Sequence, residues 1–165
     1  MADDWLGISS TEYDSHCGDY SASYDLPDAL DGSGVWLHYV NETHWFILDL
    51  GATYTIKKFR GRAKWPYDPV DVDIYVSDSK VDWGVAVATG ISTWQDTVAW
   101  VEVDSTDKNG RYIKVEIIAT EHAEYPYISW GGISPSFTIF DAYGDVAAAG
   151  VNCFMQPHGY LQAPQ

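Results

Sequence analysis

Val70-Asp71-Val72-Asp73-Ile74-Tyr75-Val76-Ser77 places Val70, Val72, Ile74 and Val76 at every second position, with Asp71, Asp73, Tyr75 and Ser77 between them. A period of two sends alternate side chains to opposite faces of a pleated backbone, so the stretch predicts a half-buried β-strand. The pattern recurs on both sides of it. Ile113, Val115 and Ile117 alternate with Tyr112, Lys114 and Glu116, and Phe46, Leu48 and Leu50 alternate with Trp45, Ile47 and Asp49 before Gly51. Thr97–Val103 predicts a further strand with Ala99, Val101 and Val103 on one face, and Phe137–Tyr143 a last one before Gly144. Tyr54–Arg62 fits less simply, because Ile56 and Phe59 break the period; a β-bulge between them would return both to one face.

Turn residues punctuate these runs at Asp31-Gly32, Gly34, Pro66, Pro69, Asn109-Gly110, Gly131-Gly132 and Pro135. No helical period extends beyond two turns, and Val146–Val151 is too short to hold a helix alone. Many short strands between turns predict a sandwich or barrel. The 165 residues suit one domain and suffice for a core without cross-links. With 46% hydrophobic and only 20% charged residues, the chain reads as folded and not as disordered.

Nine Lys and Arg stand against twenty-four Asp and Glu, a formal net charge of −15. That balance argues against nucleic acid and anionic membranes as partners, since both demand a basic footprint. Solubility is its plain use and cation binding the other, although no dense acidic loop is visible. No apolar run reaches the ~18 residues of a membrane span. The start, Met1-Ala2-Asp3-Asp4-Trp5, lacks the basic-then-apolar order of a secretory signal, so the protein is expected either to stay where it is made, or to leave within an assembly, or to have had its start trimmed; the setting expected is extracellular or virion-associated. Core burial accounts for most of the eight Trp and twelve Tyr, and an excess beyond core needs would suit a recognition surface. Cys17 and Cys153 have neither metal nor redox spacing. They read either as unrelated thiols or as one bridge across the chain ends, should the ends meet.

Several stretches carry a resemblance. They are Ala29-Leu30-Asp31-Gly32 with Trp36, His44–Gly51 with its Trp45, Asp49, Leu50 and Gly51, Tyr54–Phe59, Ile74–Asp78 with Trp83, Gly110–Val115 and Phe140–Gly144. In this order, over Ser21–Gly144, they resemble the discoidin family, also called the coagulation-factor type C domain and related to galactose-binding carbohydrate modules. The resemblance implies an all-β, eight-stranded jelly-roll β-sandwich (galactose-binding-domain-like) over residues 21–144. Residues 1–20 would be a lead-in and 145–165 a C-terminal tail or docking arm. It also implies a non-catalytic binding role with loops at one end, for glycans in many members and lipids or proteins in others. No cofactor is required. Many members hold a structural calcium through an Asp at the position of Asp31, but Gly34 stands about where a Thr is expected and Ile139 near the position of a ligating Glu. Cys17 and Cys153 resemble the end-to-end bridge of animal members, with Cys153 lying beyond the closing Gly144. Asp49 and Arg111 sit at strand positions where ionised groups need to be matched to each other.

Sugar binding calls for flat rings that stack on C–H faces and a few polar groups that catch hydroxyls. Sugar-binding members of the family use an Arg after the third strand, a His in an earlier loop and an aromatic from a late loop. Arg62, Lys64, Trp65 and Tyr67 fall in the first region, His38, Tyr39 and His44 in the second, and Tyr125, Tyr127 and Trp130 in the third. Each also has a plainer reading. Trp65 and Tyr67 could pack beneath Pro66, the histidines could be surface or satisfied core residues, and Tyr125-Pro126-Tyr127 could touch a protein. Trp94 and Trp100 read as core or edge packing. Neither Gly-x-Ser-x-Gly nor His-Glu-x-x-His occurs, and nothing singles out two carboxylates as an acid pair, so catalysis is not expected. Two functions follow: a carbohydrate-binding module, or a structural or adhesive subunit of a larger particle, such as a virion decoration or tail protein, that meets neighbouring subunits through residues 145–165.

Overall fold

The alternating runs become strands in the computed structural model, which describes residues 4–8, 13–16, 25–38, 42–64, 68–121, 128–131 and 139–147. Among these residues, nine strands and one short helix follow in the order β1 (Asp4–Trp5), β2 (Tyr13–His16), α1 (Leu26–Asp31), β3 (Val35–His38), β4 (His44–Ala63), β5 (Pro69–Ser77), β6 (Ala88–Ile91), β7 (Thr97–Thr120), β8 (Ile128–Gly131) and β9 (Phe140–Val146). All pairings are antiparallel. β1 and β2 lie in the segment expected as a lead-in, and both pair into the sheet. Among the described residues no helix is long and apolar enough to cross a membrane.

The frame is one long ribbon of β4 and β7. His44–Asp49 pair with Ile117–Tyr112, and Tyr54–Ala63 pair with Gly110–Thr97. A straight strand would set Phe46 on the order of 50 Å from Gly61. Yet Phe140, which pairs with Gly61, has its ring 5.9 Å from that of Phe46 and 5.8 Å from that of Phe59. The ribbon therefore folds over on itself at the irregularity between Asp49 and Tyr54, and its two halves become the two layers of a sandwich. One layer holds β2, the first half of β4, the second half of β7, β5 and β6. The other holds β1, β9, the second half of β4 and the first half of β7. β3 and β8 form a separate pair.

The fold at this corner depends on two glycines. Gly51 has φ 74°, a left-handed conformation that side chains disfavour. Asn109-Gly110, expected as a turn, instead lies inside β7, where the strand crosses β5 so closely that a Cβ on Gly110 would stand 2.6 Å from Val76 Cγ1. The expected bulge in β4 is present: against β9, Ile56 opposes Gly144 and Lys58 opposes Tyr143, which leaves Lys57 as the inserted residue. Ile56 and Phe59 consequently both reach the core, each 0% exposed.

Inner faces fill with Phe46, Leu48, Ile56, Phe59, Val72, Ile74, Val76, Ile113, Val115 and Ile117, each contributing about 1.5–3 kcal/mol on burial. Val70 is only half-buried, because β5 shifts register between Pro69 and Val72. Ala99 is exposed, whereas Val101 and Val103 pack against the core as expected. Helix α1 plugs the sandwich with Leu26, Ala29 and Leu30. The Asp25 carboxylate accepts the Asp28 amide at its start, and Gly32, φ 87°, ends it with a hydrogen bond to the Asp28 carbonyl. Such caps satisfy backbone groups that a short helix leaves unpaired.

Candidate functional site

The end of the sandwich opposite the Gly51–Gly110 corner gathers several strand ends. β4 starts there at His44 and ends there at Ala63, β5 starts beside it with Pro69 paired to Thr120, and Ala63 pairs with Thr97. Asp68 ties these ends together. It is 1% exposed. Its side-chain Oδ2 accepts the Asp96 amide at 2.9 Å, and its main-chain carbonyl accepts the Glu121 amide at 2.9 Å. Asp96 in turn forms an ion pair with Lys64. Residues 65–67 thus leave Lys64 and return at Asp68, while residues 122–127 leave from Glu121, hydrogen-bonded to that same Asp68. Both segments expected to carry stacking aromatics grow from one root. Trp65, Tyr67, Tyr125 and Tyr127 themselves lie outside the described residues, as do Tyr39, Cys17 and Cys153 and most of the expected docking arm, of which 145–147 are described.

Around this root the charge is uneven. The Asp96 hydrogen bond, reinforced by Asp96, Asp68 and Glu121 as neighbouring negative charges, holds the Lys64 ammonium above the usual lysine range. Arg62 is half-buried, and burial together with the Arg60 cation pushes its guanidinium below the usual arginine range. Its Nη1 donates to the Val98 carbonyl at 3.3 Å, and its Cζ lies 4.1 Å from the centroid of Trp100. Arg60 extends the stack. Its Cζ sits 4.4 Å from Trp100 and 4.0 Å from Trp5, and its Nη2 donates to Asp141 at 2.8 Å. Asp141 is 3% exposed and also accepts the Ile8 and Ala142 amides. Trp5, Arg60, Trp100 and Arg62 therefore join β1, β4 and β7 across one outer face. Trp100, expected as core or edge packing, thus stacks against two arginines, contacts that side-chain alternation does not report.

Three expected ligand residues need correction. Trp130 is 0% exposed. Its indole donates to the Arg62 carbonyl at 3.1 Å, and its ring packs 5.8 Å from Phe46 and 5.9 Å from Trp94. It closes the core beneath the loop end and has no face to offer a sugar. His44 is 1% exposed. It stands edge-on to Trp36 at 6.3 Å and to His38 at 5.8 Å, so it supports His38 and does not meet solvent. His38 remains half-buried at the end of β3, with Nδ1 unpartnered among the described residues. Asp31 does not head a cation cage. Its exposed carboxylate accepts the Ser33 amide at 2.8 Å in a local turn, Ile139 is buried in the core, and among the described residues no three His, Cys, Asp or Glu side chains converge. A calcium ion wants six to eight oxygens, and among the described residues the side chains at this position supply fewer.

Asp68, Asp96 and Glu121 are the site residues that sequence reasoning missed. Three carboxylates among twenty-four carry no mark of their own.

Comparison with solved structures places the sandwich among carbohydrate-binding modules in fold. The chitosan-binding module 1 of a chitosanase/glucanase from Paenibacillus sp. IK-5 superposes with a TM-score of 0.65 at 18% identity, covering 86% of this chain and 99% of that one. The CBM32 of AlyQ, solved in complex with 4,5-unsaturated mannuronic acid, gives 0.60 at 17% identity over 80% and 93%. CpGH89CBM32-5 from Clostridium perfringens, solved in complex with GalNAc-beta-1,3-galactose, gives 0.59 at 13% identity over 79% and 93%. No match is found among curated proteins. The F5/8 type C domain family matches residues 8–131, which span the folded β4–β7 ribbon, α1 and the loop end rooted on Asp68; the chain belongs to the F5/8 type C domain family.

Proposed function

We propose that this domain is a non-catalytic module that holds carbohydrate at the loop end of the sandwich. One observation carries the reading: residues 65–67 and 122–127, which hold Trp65, Tyr67, Tyr125 and Tyr127, depart from Lys64–Asp68 and from Glu121, which the Asp68–Glu121 hydrogen bond and the Lys64–Asp96 pair join; His38 pairs with Ile128, where the second segment ends. Aromatic rings offer flat faces for the C–H side of a pyranose, and the Arg62 guanidinium, Lys64 ammonium and His38 imidazole offer donors for its hydroxyls. The sugars of its structural neighbours, which include chitosan, an unsaturated uronic acid and an N-acetylgalactosamine-galactose pair, support a glycan as the ligand class. Retention, not turnover, suits the chemistry. The Asp68 and Asp96 carboxylates are spent on an amide and a lysine that fix loops, the opposite of a carboxyl pair flanking a scissile bond.

Titration calorimetry or glycan-array binding with chitotriose, GalNAc-β-1,3-galactose and unsaturated mannuronate tests the reading. The wild-type domain is expected to bind at least one of them, and Trp65→Ala and Tyr127→Ala are each expected to weaken that binding about tenfold, the loss of one stacked ring. A wild-type chain that binds no sugar across a broad panel, or variants that bind as well as the parent, would overturn it.

A further inference from the structure

We propose that the Asp68 carboxylate is the positioning residue of the loop end, setting through Asp96 where Lys64 is held; this rests on the carbohydrate reading for its consequence, not for its geometry. Asp68 is a carboxylate buried to 1% exposure at the rim of an otherwise apolar core. Buried carboxylates are costly unless their hydrogen bonds do something that an apolar residue cannot. This one accepts the Asp96 amide at 2.9 Å. Asp96 has φ 51°, the one described non-glycine residue with positive φ, and that conformation persists only where surrounding contacts impose it. The left-handed turn aims the Asp96 carboxylate at Lys64, with which it pairs. The connections close a ring: Lys64 leads through residues 65–67 to Asp68, Asp68 holds Asp96, and Asp96 holds Lys64. The two residues that flank 65–67, Lys64 and Asp68, are thereby both held by Asp96. Trp65 and Tyr67 occupy two of those three positions.

Asp68→Ala and Asp68→Asn separate positioning from mere packing. Asparagine keeps an oxygen for the Asp96 amide; alanine does not. In native-state amide exchange without ligand, Asp68→Ala is expected to speed the Asp96 amide at least tenfold while the Glu121 amide, which is bonded to the Asp68 main chain, and the β4 and β7 amides of Phe59 and Val115 stay unchanged, and Asp68→Asn is expected to restore most of the protection. Affinity for whichever probe sugar the parent binds should fall about tenfold in the alanine variant and recover in the asparagine one. Asp96→Gly supplies the second variant: it keeps the left-handed backbone and removes only the partner of Lys64, so affinity should fall without loss of melting temperature. Uniform acceleration through the core in Asp68→Ala, failure of asparagine to restore protection, or a fully protected alanine variant would each overturn the clamp. If no sugar binds while the exchange pattern appears as described, the clamp stands and the carbohydrate reading falls.

Discussion

Asp49 shows how a single residue links sequence, fold and pH. Its side chain is 7% exposed, and Arg111 grips it with two hydrogen bonds, Nε to Oδ1 at 2.6 Å and Nη2 to Oδ2 at 2.8 Å. Planar guanidinium and carboxylate match in this bidentate form better than any point charge could. The Arg111 hydrogen bonds, opposed by burial and helped by the Gly51 amide, hold the Asp49 carboxyl below the usual carboxylate range. A folded value below the unfolded one means that the pair stabilises the fold above the unfolded pKa of about 3.9 and ceases to do so as pH falls through the folded value. Asp49→Asn is therefore expected to cost about 1–3 kcal/mol at pH 7. The gap in melting temperature between parent and variant should narrow below about pH 4. Thermal melts across that range check it; a gap that stays constant down to pH 2 would show that the charge is not what stabilises the pair. The need for this pair was legible in the sequence, since two oppositely charged residues sat on half-buried strands. The fate of Trp130 was not, because an indole beside a loop has the same one-dimensional surroundings whether its ring turns in or out.

At the scale of elements, period-two alternation located β5 and the straight parts of β4 and β7, and the break between Ile56 and Phe59 located the bulge at Lys57. Alternation reports which face a residue occupies. It does not report whether two runs are separate strands or two halves of one. Asn109-Gly110 carries the dipeptide of a hairpin turn, yet the backbone continues through it, paired to Thr55 and Tyr54. Gly110 is there for proximity: a Cβ would meet Val76 Cγ1 at 2.6 Å and the Ser77 nitrogen at 2.7 Å. Backbone atoms cannot step aside as a side-chain end can, so Gly110→Ala is expected to cost about 1–3 kcal/mol through overpacking. Asn109→Ala, which gives up an exposed hydrogen bond from the Thr55 hydroxyl at 2.8 Å, should cost less than about 1 kcal/mol. Denaturant unfolding of the two variants tells the readings apart. A turn would suffer from either change; a crowded corner suffers only from the first, and equal losses would favour the turn.

On the scale of the whole molecule, charge was the most legible property and the loop root the least. The family resemblance pointed to Arg62 and His38 as residues of the binding end, but Asp68 and Asp96 become neighbours only once the ribbon has folded back. The excess of fifteen carboxylates survives folding, because an ion pair masks a cation and a carboxylate together and leaves the difference unchanged: Lys58 lies by Glu102 and Asp104, Arg60 by Asp141, Lys64 by Asp96, Arg111 by Asp49 and Lys114 by Glu116. A ligand approaching the domain meets a negative field that reaches about 10 Å at 0.1 M salt. Among oligosaccharides of similar size, that field favours those carrying amino groups and disfavours uronates. If chitotriose binds, its affinity is expected to fall several-fold as salt rises from about 20 mM to 0.5 M, while any uronate oligomer should bind better over the same range and a neutral galactoside should be indifferent. Parallel titrations at the two salt concentrations measure the three slopes. Identical slopes for all three sugars would mean that local hydroxyl contacts alone govern recognition and that the acidic surface serves only to keep the domain dissolved.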